Sequence, residues 1–335
     1  STISKAESSY IQVGLCSDPA LRPDGRALTD FRAVSLETGT APLANGSARL
    51  SIGRNPHDGS GGTEVLAATK LEVETIEDGG EDKGRVVCTV TCSPAAYPQL
   101  SNNALEDLQH DLTTIVHTTL SHPSLHPENL KIIPGKKSWL LNLDLVILSD
   151  AGNVYDALFM AARAALYDTK VPRTRFVEYK AKKRGPAGGA GEGMDVDDTA
   201  TEGTSGFDTR QRKHAMDFEL LDYWDEGEPL DGRQRWPLCV TLNLVPGAHF
   251  LDATLVEEAV AAVRVLVIYA FEAPHVPVVQ GMRMLGPGEV TSSQLKTLLK
   301  DAEAHARNIF AGLDAKLKEE DVRRNQKASE SFEQR

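Results

Sequence analysis

Cysteine is scarce in this chain: four residues among 335, at positions 16, 88, 92 and 239. Four cysteines in this length do not make a disulfide framework, which fits a reducing compartment. Cys88 and Cys92 stand four apart on an expected strand and so share a face. No further cysteine stands at a ligand or redox spacing, so both read as buried thiols. Long apolar runs are missing, which excludes a helical membrane span. The opening residues, STISKAESSYIQVGLC, lack the basic stretch and apolar core of a secretory leader. Positive charge is in deficit, 36 Lys and Arg against 48 Asp and Glu, for a net charge of -12. That balance excludes an overall basic footprint, so any nucleic-acid contact is local or shared with partners. His110 and His117 fall two turns apart on an expected helix with no acidic or cysteine partner at a ligand spacing. They read as ordinary helix residues, and no metal or cofactor is expected.

What is present is organised around Leu140–Pro172, LLNLDLVILSDAGNVYDALFMAARAALYDTKVP. Its first nine residues are apolar except for Asn142 and Asp144, which reads as a strand buried on both faces. Asp150-Ala151-Gly152 is a turn. A helix follows, with Tyr155, Leu158, Phe159, Ala162, Ala165 and Leu166 on one face. Asn153 is placed to cap it, and Asp156 falls in its first turn. A strand, a glycine turn and a helix N-terminus make an anion site in principle.

Around this stretch, Val34–Glu37, Ala48–Ile52, Val65–Val73 and Val86–Cys92 read as strands. Asn103–Leu120 reads as a helix, with Asn103 and Glu106 set as a capping box. Arg22 and Arg26 flank a Pro-Asp-Gly surface turn. Further on, Arg175–Lys180, Asp217–Asp222, Leu238–Leu244, Val263–Ala270 and Val276–Met284 read as strands. The last helix opens at Thr291, with Gln294 closing a capping box. Lys180–Arg184 is basic, and Gly185–Gly206 is acidic with almost no large apolar residue, the composition of a disordered insertion. The expected organisation is an arm or helix over 1–20, a first domain over 21–184, an insertion over 185–210, a second domain over 211–315 and a charged, fraying tail over 316–335. Strands and helices mix without strict βαβ alternation, so the expected class is α+β, mixed sheets with packed helices in two similar α/β layers.

Four stretches, LRPDGRALTDFR, NGSARLSIG with GGTEVLAATKLEVE, LDLVILSDAGNVYDALFMAARAALYDTKVP and DATLVEEA, resemble the RNase PH family, and more narrowly the ring subunits of the RNA exosome. The resemblance runs from about Leu21 to Phe310, leaving out the insertion. Gly152-Asn153 with Asp156-Ala157, and Asp252-Ala253-Thr254 with Glu257-Glu258, look like the ring subunits without catalytic residues. It implies an RNase PH-like fold, other ring subunits and cap subunits as partners, RNA reached through the ring channel, no membrane, and residence in nucleus, nucleolus and cytoplasm.

Active members of that family cleave RNA from its 3′ end with inorganic phosphate, which demands cations for the phosphate and a carboxylate for acid or metal work. Their phosphate turn carries Gly-Ser-Arg; the matching positions here are Gly152, Asn153 and Val154, so hydroxyl and guanidinium are gone. Their paired helix arginines align with Asp107 and Leu108. Their catalytic aspartates align with Pro229 and Arg235, with Asp225, Glu226 and Asp231 close by in sequence. Asp156 would offset the helix dipole and repel an incoming phosphate. The resemblance therefore implies a non-catalytic ring subunit with a degenerate phosphate site at Gly152, Asn153, Val154 and Asp156; an active phosphorolytic 3′-5′ exoribonuclease is the alternative. Lys136 and Lys137, in a Pro-Gly turn, and Arg22 and Arg26 are the candidate RNA contacts.

Overall fold

The computed structural model describes residues 3–55, 57, 61–76, 84–179, 215–221, 227–273 and 276–333. The chain divides into two compact units, Ser1–Val171 with Glu226–Arg335, and Pro172–Asp225. This differs from the expected division near 184 and 211: both ends of the chain fold into one unit. The insertion 185–210 and the basic run 180–184 lie outside the described residues.

In the larger unit, β1 (Val34–Thr38), β2 (Gly46–Ile52), β3 (Thr63–Thr75) and β6 (Lys137–Ser149) pair antiparallel in that order, and β4 (Arg85–Cys92) joins β6 in parallel. The short β5 (Lys131–Ile133) also pairs with β6. A second sheet holds β12 (Ala248–Phe250), β11 (Leu238–Val245), β13 (Val263–Ala273) and β14 (Val276–Leu285), all antiparallel. A minor ladder pairs β7 (Lys170–Val171) with β10 (Glu228–Pro229).

Between the sheets runs α3 (Val154–Asp168), against β2 and β3 on one side and β11 on the other. All fifteen of its residues are buried. Its alanines make this close packing feasible: a Cβ on Gly46 of β2 would lie 2.6 Å from the Ala165 carbonyl oxygen. β6 departs from expectation. Leu141, Leu143, Leu145 and Ile147 are fully buried, whereas Asp144 and Leu148 are exposed. The strand is thus buried on one face, as suits an antiparallel sheet with one open side.

α2 (Asn102–Leu120) lies along β4. Its N-cap is Ser101, which accepts from the Ala104 amide, not the expected Asn103 box. The amides of Cys88, Val90 and Cys92 donate to His117 Nδ1, Thr113 Oγ1 and Gln109 Oε1. Three side chains at helical spacing thus complete the hydrogen bonds of the outer β4 edge, and cover it. Cys88 and Cys92 are buried thiols, pushed up by burial to about 12 and about 11.

The termini are better anchored than their polarity suggests. α1 (Lys5–Cys16) is capped by Ser4, and its Ile11 and Leu15 pack with Val245, Phe250, Ala253 and Val260. α5 spans Ser292–Glu333, so the helix continues through the expected tail. Thr291 and Gln294 form the expected capping box at its start. Arg324 ion-pairs with Asp168 at the end of α3, and Leu317 is fully buried.

In the smaller unit, β8 (Thr174–Tyr179) and β9 (Ala215–Leu220) form an antiparallel ribbon in which Phe176 stands opposite Phe218 and Arg175 pairs with Glu219.

Candidate functional site

The turn between β6 and α3 brings the N-terminus of α3 beside the start of α4 (Leu255–Glu258), with the loop 22–32 completing the cluster. Gly152 has φ +97°, and a Cβ there would lie 2.4 Å from the Ala253 carbonyl oxygen, so only glycine fits this approach. Asn153 occupies the N-cap position in the left-handed region, φ 63°, and makes no side-chain cap bond. Its amide Nδ2 instead donates to Asp252 Oδ1 at 3.0 Å.

The place where an anion would sit at this N-terminus is taken by the chain's own carboxylates. The Asn153 N–H donates to Glu258 Oε1 at 2.8 Å, and the Gly152 N–H donates to Asp150 Oδ1 at 2.8 Å. Glu258 is anchored in turn by Arg264, 3.0 Å away. Burial pushes Glu258 upward, and Arg264 and the Asn153 N–H only partly oppose it. An intramolecular carboxylate thus answers the Asn153 N–H, one of the amides that a helix N-terminus can offer to an anion.

Three arginines close the other side. Arg22 donates from Nε and Nη2 to both oxygens of Glu257, at 2.9 and 2.7 Å, and both side chains are fully buried. Its Nη1 and Nη2 also donate to the Leu251 and Asp252 carbonyls, at 3.1 and 2.9 Å. Arg26 pairs with Asp24 and Asp252, at 2.6 and 2.9 Å. Arg32 binds both oxygens of Asp252 and donates to the carbonyls of Ala151 and Gly152, each at 3.0 Å. Asp252, itself at φ 44°, is pushed up by burial, but hydrogen bonds and charge from Arg32 win and hold it below the usual carboxylate range. Glu257 closes a capping box with Thr254.

Arg22 and Arg26, expected on a surface turn as RNA contacts, are therefore internal struts: the guanidinium of Arg22 is sealed from solvent, and that of Arg26 is 13% exposed and committed to three carboxylates, Asp24, Asp252 and Glu257. A cation already saturated by buried carboxylates has little attraction left for a phosphate backbone. Asp156 also differs from expectation. Although it lies in the first turn of α3, it points inward, is fully buried, and accepts from Thr241 Oγ1 at 2.7 Å. Burial pushes it up to about 7, with the Thr241 hydrogen bonds and Asn153 pulling the other way.

The positions aligned with the family's acidic residues are not gathered here. Leu230, next to Pro229, donates its amide to the Thr169 carbonyl at the far end of α3. That is roughly 24 Å from Asn153 at about 1.5 Å per helical residue. Asp231 donates its amide to Asn129 Oδ1, Arg235 donates its amide to the Gly232 carbonyl, and Asp225 and Glu226 lie outside the described residues. Asp107 is exposed and Leu108 half-buried on α2. Lys136 is exposed and Lys137 half-buried in the turn before β6, where the Lys136 carbonyl accepts from the Ile76 amide. Among the described residues no group of three or more His, Cys, Asp or Glu side chains could hold a metal ion. Reading the sequence missed Arg264, Arg32 and the pairing of Glu257 with Arg22; the signal for the last two lay in the two distant motifs LRPDGRALTDFR and DATLVEEA.

The mixed sheets packed around α3 make an RNase PH-like fold. Residues 30–172 match the model of the 3′ exoribonuclease family, domain 1. The chain is homologous to exosome Rrp42 subunits. It is 26% identical over 305 residues to a Dictyostelium discoideum protein named as an exosome complex exonuclease RRP42, covering 76% of this chain and 81% of that one. It is 35% identical over 155 residues to the exosome complex component Rrp42 of Saccharolobus solfataricus, covering 46% of this chain and 54% of that one. The matched region thus spans about half the length of this archaeal relative. Among solved structures, an Archaeoglobus fulgidus exosome with RNA bound to its active site superposes with a TM-score of 0.62 at 21% identity, over 91% of this chain and 96% of that one. An archaeal exosome core gives 0.61 at 20% identity, over 92% and 96%. Rice Rrp46 gives 0.53 at 15%, over 89% and 100%. At these identities the structural likeness establishes the fold.

Proposed function

We propose that this chain is a non-catalytic ring subunit of an RNA exosome, supporting assembly and the channelling of RNA in 3′-5′ processing and decay. The observation that carries the reading is the Glu258 carboxylate on the Asn153 amide, which answers that N–H from within the chain. Asn153 and Val154 supply neither a hydroxyl nor a guanidinium to displace it. The homology to Rrp42 supports ring membership. Partners are then other RNase PH-like subunits and cap subunits, with residence in nucleus, nucleolus and cytoplasm. The second reading, an active exonuclease, draws on the Dictyostelium relative, which is named as an exonuclease.

Purification of the native complex through this subunit tests the assembly reading. The expected result is a complex several times the 36.3 kDa of the chain, containing further RNase PH-like subunits. Recovery of the chain alone or as a homo-oligomer contradicts it.

RNA contact through Lys136 and Lys137 is part of this proposal: both sit at the turn before β6, where Lys136 is exposed and Lys137 half-buried. A chain of net charge -12 binds single-stranded RNA weakly by itself. In the assembled complex, Lys136→Glu with Lys137→Glu is expected to weaken RNA binding and flatten its salt slope by up to about 2, while leaving assembly intact. Affinities at two salt concentrations check this; an unchanged slope removes these lysines from the RNA path.

A further inference from the structure

A groove of about 500 Å³ opens between the β11–β12 turn, the loop from Gly286 to Val290 and the first turns of α5. It belongs to the larger unit but not to the cluster at the start of α3. Val263, Val290 and Leu298 form its apolar wall. Its charged lining is acidic: Glu289 and Asp301, with His249 beside Asp301 at 3.8 Å, too long for a hydrogen bond. No lysine or arginine lines it among the described residues. Three buried carboxylates elsewhere in this unit are answered by arginine: Asp252 by Arg32, Glu257 by Arg22 and Asp168 by Arg324. Glu289 is exposed and forms no ion pair among the described residues.

We propose that this groove receives an arginine side chain carried on a short extended segment of a partner protein. Apolar walls suit the three-carbon stem of arginine, and a carboxylate at the rim suits its forked, always-charged head. The volume is larger than one side chain and leaves room for the residues flanking it. Charge complementarity selects the occupant: an acidic rim repels RNA and any acidic peptide, and a purely apolar segment would leave Glu289 unanswered and Asp301 with His249 alone. The inference stands independently of whether the chain is a ring subunit.

Immobilised full chain is offered three pools of five-residue peptides with randomised flanks, centred on arginine, on its neutral isostere citrulline, or on leucine. Retention of the arginine pool at least fivefold above the citrulline pool is expected. That preference is lost in Glu289→Gln with Asp301→Asn, with the melting curve unchanged. Should the double variant not fold, Glu289→Gln alone, on an exposed loop side chain, is expected to lower the preference about twofold. Equal retention of arginine and citrulline pools overturns the proposal. So does a preference that survives the substitutions, and so does stronger retention of the leucine pool.

Discussion

Arg22→Leu is expected to lower the unfolding free energy of the chain by about 3–5 kcal/mol, the range seen when one partner of a buried ion pair is removed. The substitution leaves the Glu257 carboxylate fully buried with Thr254 and, at 4.0 Å, Arg26 as its partners, and strips donors from the Leu251 and Asp252 carbonyls. Arg22→Leu with Glu257→Leu is expected to recover part of the loss, because the uncompensated charge is gone. Urea denaturation of the two singles and the double measures the coupling. A surface RNA contact would behave in the opposite way, with a loss of RNA affinity and no loss of stability. A stability change under about 0.5 kcal/mol in Arg22→Leu would show that the arginine is a surface group after all.

The second large effect is a pH dependence. Asp156 is raised from 3.8 to about 7 by burial, so between those values the folded chain holds a proton that the unfolded chain has released. Folding thus takes up a proton, and the stabilising contribution is complete below pH 4 and lost as pH rises through 7. At 1.36 kcal/mol per unit, the loss is about 4 kcal/mol across that window. The groups facing Asp156 are Thr241 and Cys239 of β11, with Asn153 and Asp252; Asp252 adds to the upward push. Asp156→Asn keeps the shape of the neutral acid and cannot titrate. The stability of the variant relative to the native chain is expected to rise from near zero at pH 4 to about 4 kcal/mol in its favour at pH 8. A difference that stays flat with pH would contradict the buried, proton-holding role. Asp252, held low by Arg32, acts with the opposite sign: its contribution is lost as pH falls below the carboxylate range.

These two effects also mark where the sequence was and was not legible. The element types followed from local signals. The apolar run of β6, the inner stripe of α2 and the Thr291–Gln294 box each lie within one stretch of chain. Burial on both faces of β6 did not follow, because apolar residues at Val146 and Leu148 look alike whether a sheet is covered or half open. The Arg22 turn carries a strong surface signal in Pro-Asp-Gly, while its partner Glu257 lies 235 residues away. No local pattern encodes that pairing. The stretch from Lys316 onward reads as a fraying tail for the same reason: Arg324 and Asp168 are 156 residues apart. The departure from Gly-Ser-Arg at 152–154 is legible in the sequence, whereas the hydrogen bond from the Asn153 amide to Glu258 required the fold to bring two motifs together.

Phosphate-dependent release of nucleoside diphosphates from single-stranded RNA by the purified chain tests the central claim most directly. With Glu258 seated on the Asn153 amide and no cation at 153 or 154, release is expected to stay at the level of the protein-free control at millimolar phosphate. Release that rises with phosphate, and is lost on substituting Asp225 or Asp231, would contradict the account.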